Sequence, residues 1–565
     1  MGCASRLFGP AWRACGRGAL MRELAHKCCP AKCTPAAFPN APPSYPSIRF
    51  NAGLSHGMGW PAKQSPRGLD SDKLEPAGID EVRRRTHRTA ENFMAITKTL
   101  IALSVVLASV VSVAGAAGAA GDDSYGRFRA TYKELLETNT TLSSGDCTLA
   151  AQRMAARLRA AGYSDADLHV FVPDGHPKEG GLIAVLKGTE PDAKAILMLA
   201  HVDVVEARRE DWTRDPFALV EEGGYYYGRG SSDMKAQAAI WVDNLVRYRE
   251  ERYKPRRTIK LALTCGEETN SALNGAGWLA THAREEIDAA FAITEGVDGY
   301  LDDQGRRLAV GVLAAEKVSQ NFQFEVTNPG GHSSRPIADN AIYHLVRAVD
   351  RVSRYEFPVQ LNDANRGYLV GMGKIVGGTL GAEMQAVAKD PSNRKAVAAL
   401  DRDANLHAML RTTCVATMLS AGHATNALPQ RAKANINCRI FPGVPSDEVQ
   451  ARLVRLVADP AVIVSVPEVR GPPAKATPLT PQILGPVESV AHELWPGVPV
   501  VTALEPGASD AQFLNPVGIP TYGITGLFSD PDGGGIHGLN ERIRVQSVIE
   551  GREFLYRLVK QYASD

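Results

Sequence analysis

The sequence predicts an α/β fold, in which a mixed, mostly parallel sheet is flanked by helices and a smaller α+β domain is inserted. Three observations predict it. Apolar runs alternate with helical periodicity from residue 122 onward, residues 195–200 are continuously apolar, and the pattern changes after residue 316. Alternating helices and strands are typical of parallel connections, and a continuously apolar strand is typical of a sheet covered on both faces.

Helical periodicity and short apolar runs define the main domain, which we expect over residues 122–315 and again over 476–565. The first part has predicted helices at 147–161, 235–248 and 272–281 and predicted strands at 181–186, 195–200, 258–264 and 289–294. The second part has predicted helices at 481–494 and 545–562 and predicted strands at 498–503 and 520–525. The chain is therefore expected to leave this domain and return to it.

The inserted domain, here called the insert, is predicted over residues 316–475. Polar and apolar residues alternate over 319–326, which indicates a half-exposed strand. The other predicted elements are a helix at 340–354, strands at 412–418 and 431–440, and a helix at 446–458. A long variable stretch before residue 410 carries no assigned element.

Composition and charge exclude some classes of function. The chain has 565 residues, 44% of them hydrophobic and 22% charged, which is typical of a soluble protein with a sizeable core. Residues 1–93 have a local charge of +7, so the remainder of the chain carries −6. A mildly acidic body argues against nucleic acid as a partner, because phosphate binding needs clustered positive charge.

The region before the main domain has the arrangement of an export signal. Lys98 precedes an apolar run at 100–113, and small residues follow at 114–120. We predict a signal peptide at 94–121, with cleavage between Ala114 and Asp122 and a periplasmic or secreted product. The alternative is a membrane anchor, because 23 uncharged residues lie between Lys98 and Asp122. Residues 1–93, rich in proline, are predicted to be disordered or to be an over-extended reading of the gene.

The cysteines after residue 100 stand singly at Cys147, Cys265, Cys414 and Cys438. None forms a C-x-x-C pair, so the spacing supports neither a zinc ribbon nor a dense disulfide framework.

Residues that bind metals or transfer protons lie after predicted strands or in loops between predicted elements. His201, Asp203, Glu267, Glu268 and Glu295 follow strands, Asp233 closes a loop just before the helix at 235–248, and His537 lies in a glycine-rich loop. Open α/β sheets assemble their sites at the carboxyl ends of strands. Two histidines and three carboxylates suit two divalent ions that share a bridging carboxylate and activate water. The adjacent acids at 267 and 268 allow one to bind metal and the other to act as a base, and Asp203 is placed to accept the N–H of His201.

Several segments resemble the motifs of the dinuclear metallopeptidases of family twenty, which include aminoacylases, glutamate carboxypeptidase, desuccinylases and Gly-Xaa carboxypeptidases. In order, they are 199–205 (LAHVDVV), 212–217 (WTRDPF), 227–235 (YGRGSSDMK), 266–268 (GEE), 295–296 (EG), 330–334 (GGHSS) and 537–541 (HGLNE). The resemblance covers about residues 125–563. It implies a catalytic domain of the dizinc exopeptidase type, interrupted by a lid that often forms dimers.

The resemblance also implies a role for each residue. Asp233 would bridge two metal ions, His201 and Glu295 would complete one site, and Glu268 and His537 the other. Glu267 would be the general base, Asp203 would orient the ligands, and the Asp233–Met234 peptide would be cis. His332 in the lid would help to stabilise the oxyanion, in some members from the partner subunit. Zinc is the expected metal, with cobalt and manganese as alternatives.

Segments of the insert at 412–422, 426–429 and 436–443 resemble the carboxypeptidase and N-acyl amino acid hydrolase branch. Asn426 would then contact the scissile carbonyl and Arg439 the substrate carboxylate. A salt bridge within the lid is the alternative role for Arg439. The function implied is hydrolysis of peptide or N-acyl amino acid amides, with a homodimer formed through the lid. The alternatives are a dizinc aminopeptidase and a non-catalytic, membrane-tethered binding protein.

Overall fold

A computed structural model of the protein describes residues 124–269, 273–467 and 475–564. All of the described residues belong to one compact unit. The predicted N-terminal extension and signal peptide lie outside the described residues. Within those described, no helix is both long enough and apolar enough to cross a membrane.

The strands and helices of the described residues have the following bounds. The strands are β1 Leu168–Phe171, β2 Gly181–Leu186, β3 Ile196–His201, β4 Val220–Glu222, β5 Tyr225–Tyr227, β6 Ile259–Thr264, β7 Phe291–Thr294, β8 Gly299–Leu301, β9 Arg307–Glu316, β10 Val318–Thr327, β11 Gly331–His332, β12 Thr413–Ala421, β13 Ala427–Leu428, β14 Arg431–Ile440, β15 Ile463–Ser465, β16 Val500–Glu505, β17 Thr521–Gly523, β18 Phe528–Ser529 and β19 Arg542–Arg544. The helices are α1 Ser124–Glu137, α2 Cys147–Ala160, α3 Lys235–Glu250, α4 Gly275–His282, α5 Arg284–Ile287, α6 Ala341–Ser353, α7 Asp363–Val376, α8 Gly378–Lys389, α9 Arg394–Leu400, α10 Ala404–Met409, α11 Ser446–Val457, α12 Pro481–Leu494, α13 Ala511–Leu514 and α14 Val545–Ser564.

The main sheet is mixed and has helices on both faces, as the sequence predicts. Its order is β1-β2-β6-β3-β7-β17-β9-β8-β18, with β16 beside β9. The central strands β6, β3, β7 and β17 run parallel to one another. All six residues of β3 are buried. Helices α1, α2, α3 and α14 pack on one face, and α4 and α13 pack on the other.

The insert contains a second sheet, in the order β12-β14-β10-β15, whose neighbours are all antiparallel. Helices α6 and α11 cover one face of it, where Leu345 and Leu453 pack with Phe322 and Ile436. Buried residues alternate along β10 and β14, so the opposite face of the sheet is polar. This pattern agrees with the α+β organisation predicted for the insert.

Helices α7 to α10 occupy the stretch to which the sequence pattern assigned no element. They lie within the insert in sequence but pack on the main sheet, where Leu369 and Met384 contact the cluster containing Ala309 of β9 and Val501 of β16. Their sequences are rich in alanine and glycine. These residues give little contrast between a buried and an exposed face, so the apolar period is weak.

Two disulfides join the four cysteines that the spacing analysis left single. Cys147, at the start of α2, pairs with Cys265, which directly follows β6. Cys414 and Cys438 are cross-strand neighbours on β12 and β14. The pairs are 118 and 24 residues apart. Spacing alone does not predict them, because tertiary structure brings the partners together.

Candidate active site

The metal-type residues converge at one edge of the main sheet. His201 is the last residue of β3, Glu295 directly follows β7, and Glu268 lies in the loop after β6. Because β3, β6 and β7 are parallel, their carboxyl ends meet at the same edge. Asp233 comes from the loop between β5 and α3, and His537 from the loop before β19.

Asp233 lies between the two histidines, and each of its carboxylate oxygens faces one of them. Oδ1 of Asp233 is 3.2 Å from His201 Nε2, and Oδ2 is 3.2 Å from His537 Nε2. His201 Nε2 is also 3.4 Å from Glu295 Oε2, and His537 Nε2 is 2.7 Å from Glu268 Oε2. All five predicted ligands are therefore brought together, in two groups that share Asp233; we call them the His–carboxylate cluster.

The cluster fits two divalent cations. The ligand atoms of each group lie within 4.8 Å of one another. Oδ1 of Asp233 is buried and lacks a hydrogen bond of good geometry, although His201 Nε2 is near it. Imidazole nitrogens combined with carboxylate oxygens are the donors that zinc, cobalt and manganese accept. The Asp233–Met234 peptide is cis, as the resemblance implies.

The electrostatics of the site also favour cations. Burial, and then the charge of Glu295, raises the pKa of Glu267 to about 10. Burial raises the pKa of Glu295 to about 8. Hydrogen bonds to Asp233 and Glu268 raise the pKa of His537 to about 10. Carboxylates crowded in a buried site hold protons because like charges repel one another, and divalent cations relieve that repulsion.

Asp203 contacts both His201 and the acid pair at 267 and 268. Its carboxylate accepts the backbone N–H groups of Glu267 at 3.3 Å and of Glu268 at 3.0 Å. His201 Nδ1 lies 3.1 Å from the backbone carbonyl of Asp203 but 3.7 Å from its carboxylate. The closer contact of the imidazole is therefore to the Asp203 carbonyl, while the carboxylate accepts the two amides, and the orienting role of Asp203 stays a prediction.

The structure does not bring the three predicted residues of the insert into the His–carboxylate cluster. His332 on β11 is exposed, and its Nδ1 accepts a hydrogen bond from the N–H of Ser334 and lies 2.7 Å from the Ser334 hydroxyl. Asn426 is its neighbour, since the N–H of Ser333 donates to the Asn426 carbonyl at 3.0 Å. Arg439 is half-buried on β14. Their roles stay predictions.

Two buried acids near the cluster have no role in the sequence analysis. Glu541 accepts hydrogen bonds from the loop that carries Asp233. Asp510 accepts the hydroxyl of Thr264 at 2.9 Å and the amide of Asn274 at 2.7 Å, which fixes the end of β6. Glu541 lies in the motif that contains His537, so the motif could have marked it as a residue of the site. Asp510 lies in no motif, so nothing in the sequence marked it.

A model of peptidase family M20/M25/M40 matches residues 197–561, which is more than half of the chain. The chain belongs to this family. The matched range contains all five residues of the His–carboxylate cluster, and the resemblance expected from the motifs is confirmed. This M20-family protein is accordingly an enzyme of the dinuclear metal hydrolase type, with the α/β catalytic fold of that family.

Among curated proteins, the chain is similar to the human N-fatty-acyl-amino acid synthase/hydrolase PM20D1. The two are 28% identical over 392 residues, which cover 67% of this chain and 76% of the relative. Carboxypeptidase S of Saccharomyces cerevisiae is 28% identical over 279 residues, which cover 46% of this chain and 48% of the relative.

Solved structures show the same fold at lower sequence identity. An M20 family metallo-carboxypeptidase from Sulfolobus solfataricus superposes with a TM-score of 0.58 at 17% identity and covers 77% of this chain and 99% of its own. Human carnosine dipeptidase 1 superposes with a TM-score of 0.55 at 17% identity and covers 78% and 96%.

Proposed function

We propose that this M20-family protein hydrolyses the amide bond of N-acyl amino acids or peptides that have a free carboxylate, with two divalent ions in the His–carboxylate cluster. The observation that carries the proposal is the position of Asp233, whose two oxygens face different histidines. A bridging carboxylate in this position suits a pair of ions rather than one. Zinc is the proposed metal, and cobalt and manganese suit the same donors.

Glu267 is the proposed general base. Glu267 belongs to neither of the two ligand groups. Its backbone N–H and that of Glu268, the next residue, both donate to the carboxylate of Asp203. Two bound divalent ions would supply the polarisation of the scissile carbonyl and the activation of water. The carboxylate of Glu267 would then take the proton that water loses and deliver it to the departing nitrogen.

Positive charge in the insert supports recognition of a carboxylate. Lys317 is buried between β9 and β10, and burial followed by the charges of Arg439 and Arg411 lowers its pKa to about 7. Arg411 forms ion pairs with two acids of the insert, Glu356 and Asp401. An anionic substrate beside Arg439 would relieve this repulsion, and a guanidinium binds a carboxylate through two parallel hydrogen bonds.

Two further proposals concern location and assembly. Export is supported by the signal-like arrangement at 94–121 and by the two disulfides, which persist in oxidising compartments. A homodimer through the insert is supported by the edge strand β12, where Val415, Met418 and Leu419 are 58%, 71% and 60% exposed. An exposed apolar edge strand can pair with a strand of a second copy of the chain, which would extend the sheet across the two copies.

A substrate panel tests the proposed reaction. Metal-loaded protein that begins at residue 122 is assayed with N-acyl amino acids, free dipeptides, N-blocked dipeptides and C-terminally amidated dipeptides. Glu267→Gln is the control for contaminating hydrolases. We expect cleavage of substrates with a free carboxylate, with or without a blocked amino group. Equal cleavage of amidated and free peptides, combined with a requirement for a free amino group, would instead support the dizinc aminopeptidase.

A further inference from the structure

Glu541 is a buried carboxylate for which the proposed reaction has no role. Its side chain is 1% exposed, and it lies between His537 and strand β19. Glutamate is rarely this buried, because taking a charge out of water is unfavourable unless hydrogen bonds replace the lost hydration. Its position therefore depends on the groups that contact it.

Among the described residues, Glu541 accepts four side-chain hydrogen bonds, and all four come from one short segment, residues 229–233. Oε2 accepts Nη1 of Arg229 at 2.8 Å and the N–H of Gly230 at 2.9 Å. Oε1 accepts the N–H of Ser232 at 2.8 Å and the N–H of Asp233 at 3.1 Å. A single carboxylate thus fixes the backbone of the loop that ends at Asp233.

The same contacts fasten this loop to the loop of His537. Nη2 of Arg229 donates to the carbonyl of Gly538 at 2.8 Å, directly after His537. Strands β5 and β19, which flank the two loops, pair antiparallel. The two loops that face each other across the cluster are therefore joined by the ion pair of Arg229 and Glu541.

We propose that Glu541 is a positioning residue for the metal centre. It holds the backbone of Asp233 so that the two carboxylate oxygens point to the two ion positions before any ion binds. This inference rests on the proposed function, since it assumes that Asp233 bridges two ions. Groups that hold metal ligands in place increase metal affinity because less disorder is lost on binding.

The alternative is that the pair of Arg229 and Glu541 only stabilises the fold. Asp243 and Arg552 provide the matched control, since Nε of Arg552 donates to Asp243 at 2.7 Å and both side chains are buried. That pair joins α3 to α14, and the hydrogen bonds of its side chains within the described residues are to each other and to the carbonyl of Ser124 at the start of α1. Asp243→Asn therefore removes a buried ion pair without touching the ligand loops.

The test is a titration of metal-free protein with Co²⁺, with the dissociation constants and the visible absorption of bound cobalt measured for wild type, Glu541→Gln and Asp243→Asn. We expect Glu541→Gln to bind Co²⁺ about 10- to 100-fold more weakly, with a changed visible spectrum. Asp243→Asn should lower the Tm of the metal-free protein but keep the wild-type affinity and spectrum. Arg229→Lys replaces the two guanidinium nitrogens that contact Glu541 and Gly538 with a single ammonium. It should weaken Co²⁺ binding as well, and it provides the test if Glu541→Gln does not fold.

Wild-type affinity and spectrum in Glu541→Gln would overturn this inference and leave the proposed function standing. An equal loss of affinity in Asp243→Asn would overturn it too, because the effect would then follow stability alone. A wild-type protein that binds no Co²⁺ would overturn both the inference and the proposed function.

Discussion

The backbone N–H of Glu268 donates to the carboxylate of Asp203 at 3.0 Å, and the N–H of Glu267 donates to the same carboxylate at 3.3 Å. Asp203 stands two residues after His201, whose Nδ1 contacts the Asp203 carbonyl. One buried residue therefore connects a ligand on β3 with the acid pair after β6.

Replacement of Asp203 tests this connection. In Asp203→Asn, a neutral amide that carries an N–H donor replaces an acceptor that serves two backbone amides, so Glu267 loses its fixed position. We expect kcat to fall about 10- to 100-fold, with less effect on metal content because the carbonyl contact to His201 remains. Steady-state kinetics and metal analysis check it. A loss of metal as large as the loss of turnover would contradict this prediction.

Arg439 tests how the substrate is recognised. Arg439→Lys replaces a planar group that can form two parallel hydrogen bonds with a single ammonium. We expect kcat/KM for substrates with a free carboxylate to fall about 10-fold or more, equivalent to about 1.4 kcal/mol. Amidated substrates should be poor for wild type and little changed by the substitution. An equal loss for both kinds of substrate would favour the salt-bridge role.

The buried carboxyl group of Glu316 should make the stability of the protein depend on pH. It lies at the end of β9 and accepts the N–H and hydroxyl of Ser509 at 3.1 and 2.6 Å. Burial raises its pKa from 4.5 to about 7. Between these values the folded state holds a proton that the unfolded state has released, so the contribution of Glu316 to stability falls as pH rises from 4.5 to 7 and is level above 7.

The variant Glu316→Gln removes this dependence, because its amide can accept from the N–H and donate to the hydroxyl of Ser509. We expect the free energy of unfolding of the variant, relative to wild type, to rise by about 3 kcal/mol between pH 4.5 and 7.5. Urea unfolding at several pH values measures it. Glu553→Gln, at a partly exposed ion pair, is the control. If the difference in free energy of unfolding between Glu316→Gln and wild type stays constant over this pH range, the raised pKa of Glu316 is contradicted.

The two disulfides should differ in their contribution to stability. The bond of Cys147 and Cys265 closes 118 residues and that of Cys414 and Cys438 closes 24. The chain-entropy model gives about 5 and about 3.5 kcal/mol. We expect the double serine variant at 147 and 265 to lose more free energy of unfolding than the one at 414 and 438. Urea unfolding of the metal-free variants measures both losses. A loss of free energy of unfolding in the variant at 147 and 265 that is equal to or smaller than the loss in the variant at 414 and 438 would contradict the prediction.

The ligand positions were predictable because apolar strands end sharply at polar residues. The apolar run of β3 ends at His201, and β7 is followed at once by Glu295. Parallel strands bring such ends to one edge, so the order of the elements already places these residues together.

Other features depend on contacts between distant segments. The N–H of Asp233 donates to Glu541, which lies 308 residues further along the chain. From the sequence alone, a glutamate in a loop is expected to be exposed, because the hydrogen-bond donors that allow its burial come from a distant segment. The pair of Cys147 and Cys265 has no spacing signal for the same reason. Helices α7 to α10 were missed because alanine and glycine conceal the apolar period of a helix.

The most direct test of the metal-dependent mechanism is the metal content per chain, measured by mass spectrometry with turnover of an N-acyl amino acid on the same samples. Wild type should hold two divalent ions and turn over substrate. Glu267→Gln should hold two ions and lose nearly all turnover, because the base is not a ligand. Asp233→Ala should lose metal and turnover together. Near-normal turnover in Glu267→Gln, or two ions retained in Asp233→Ala, would contradict the account.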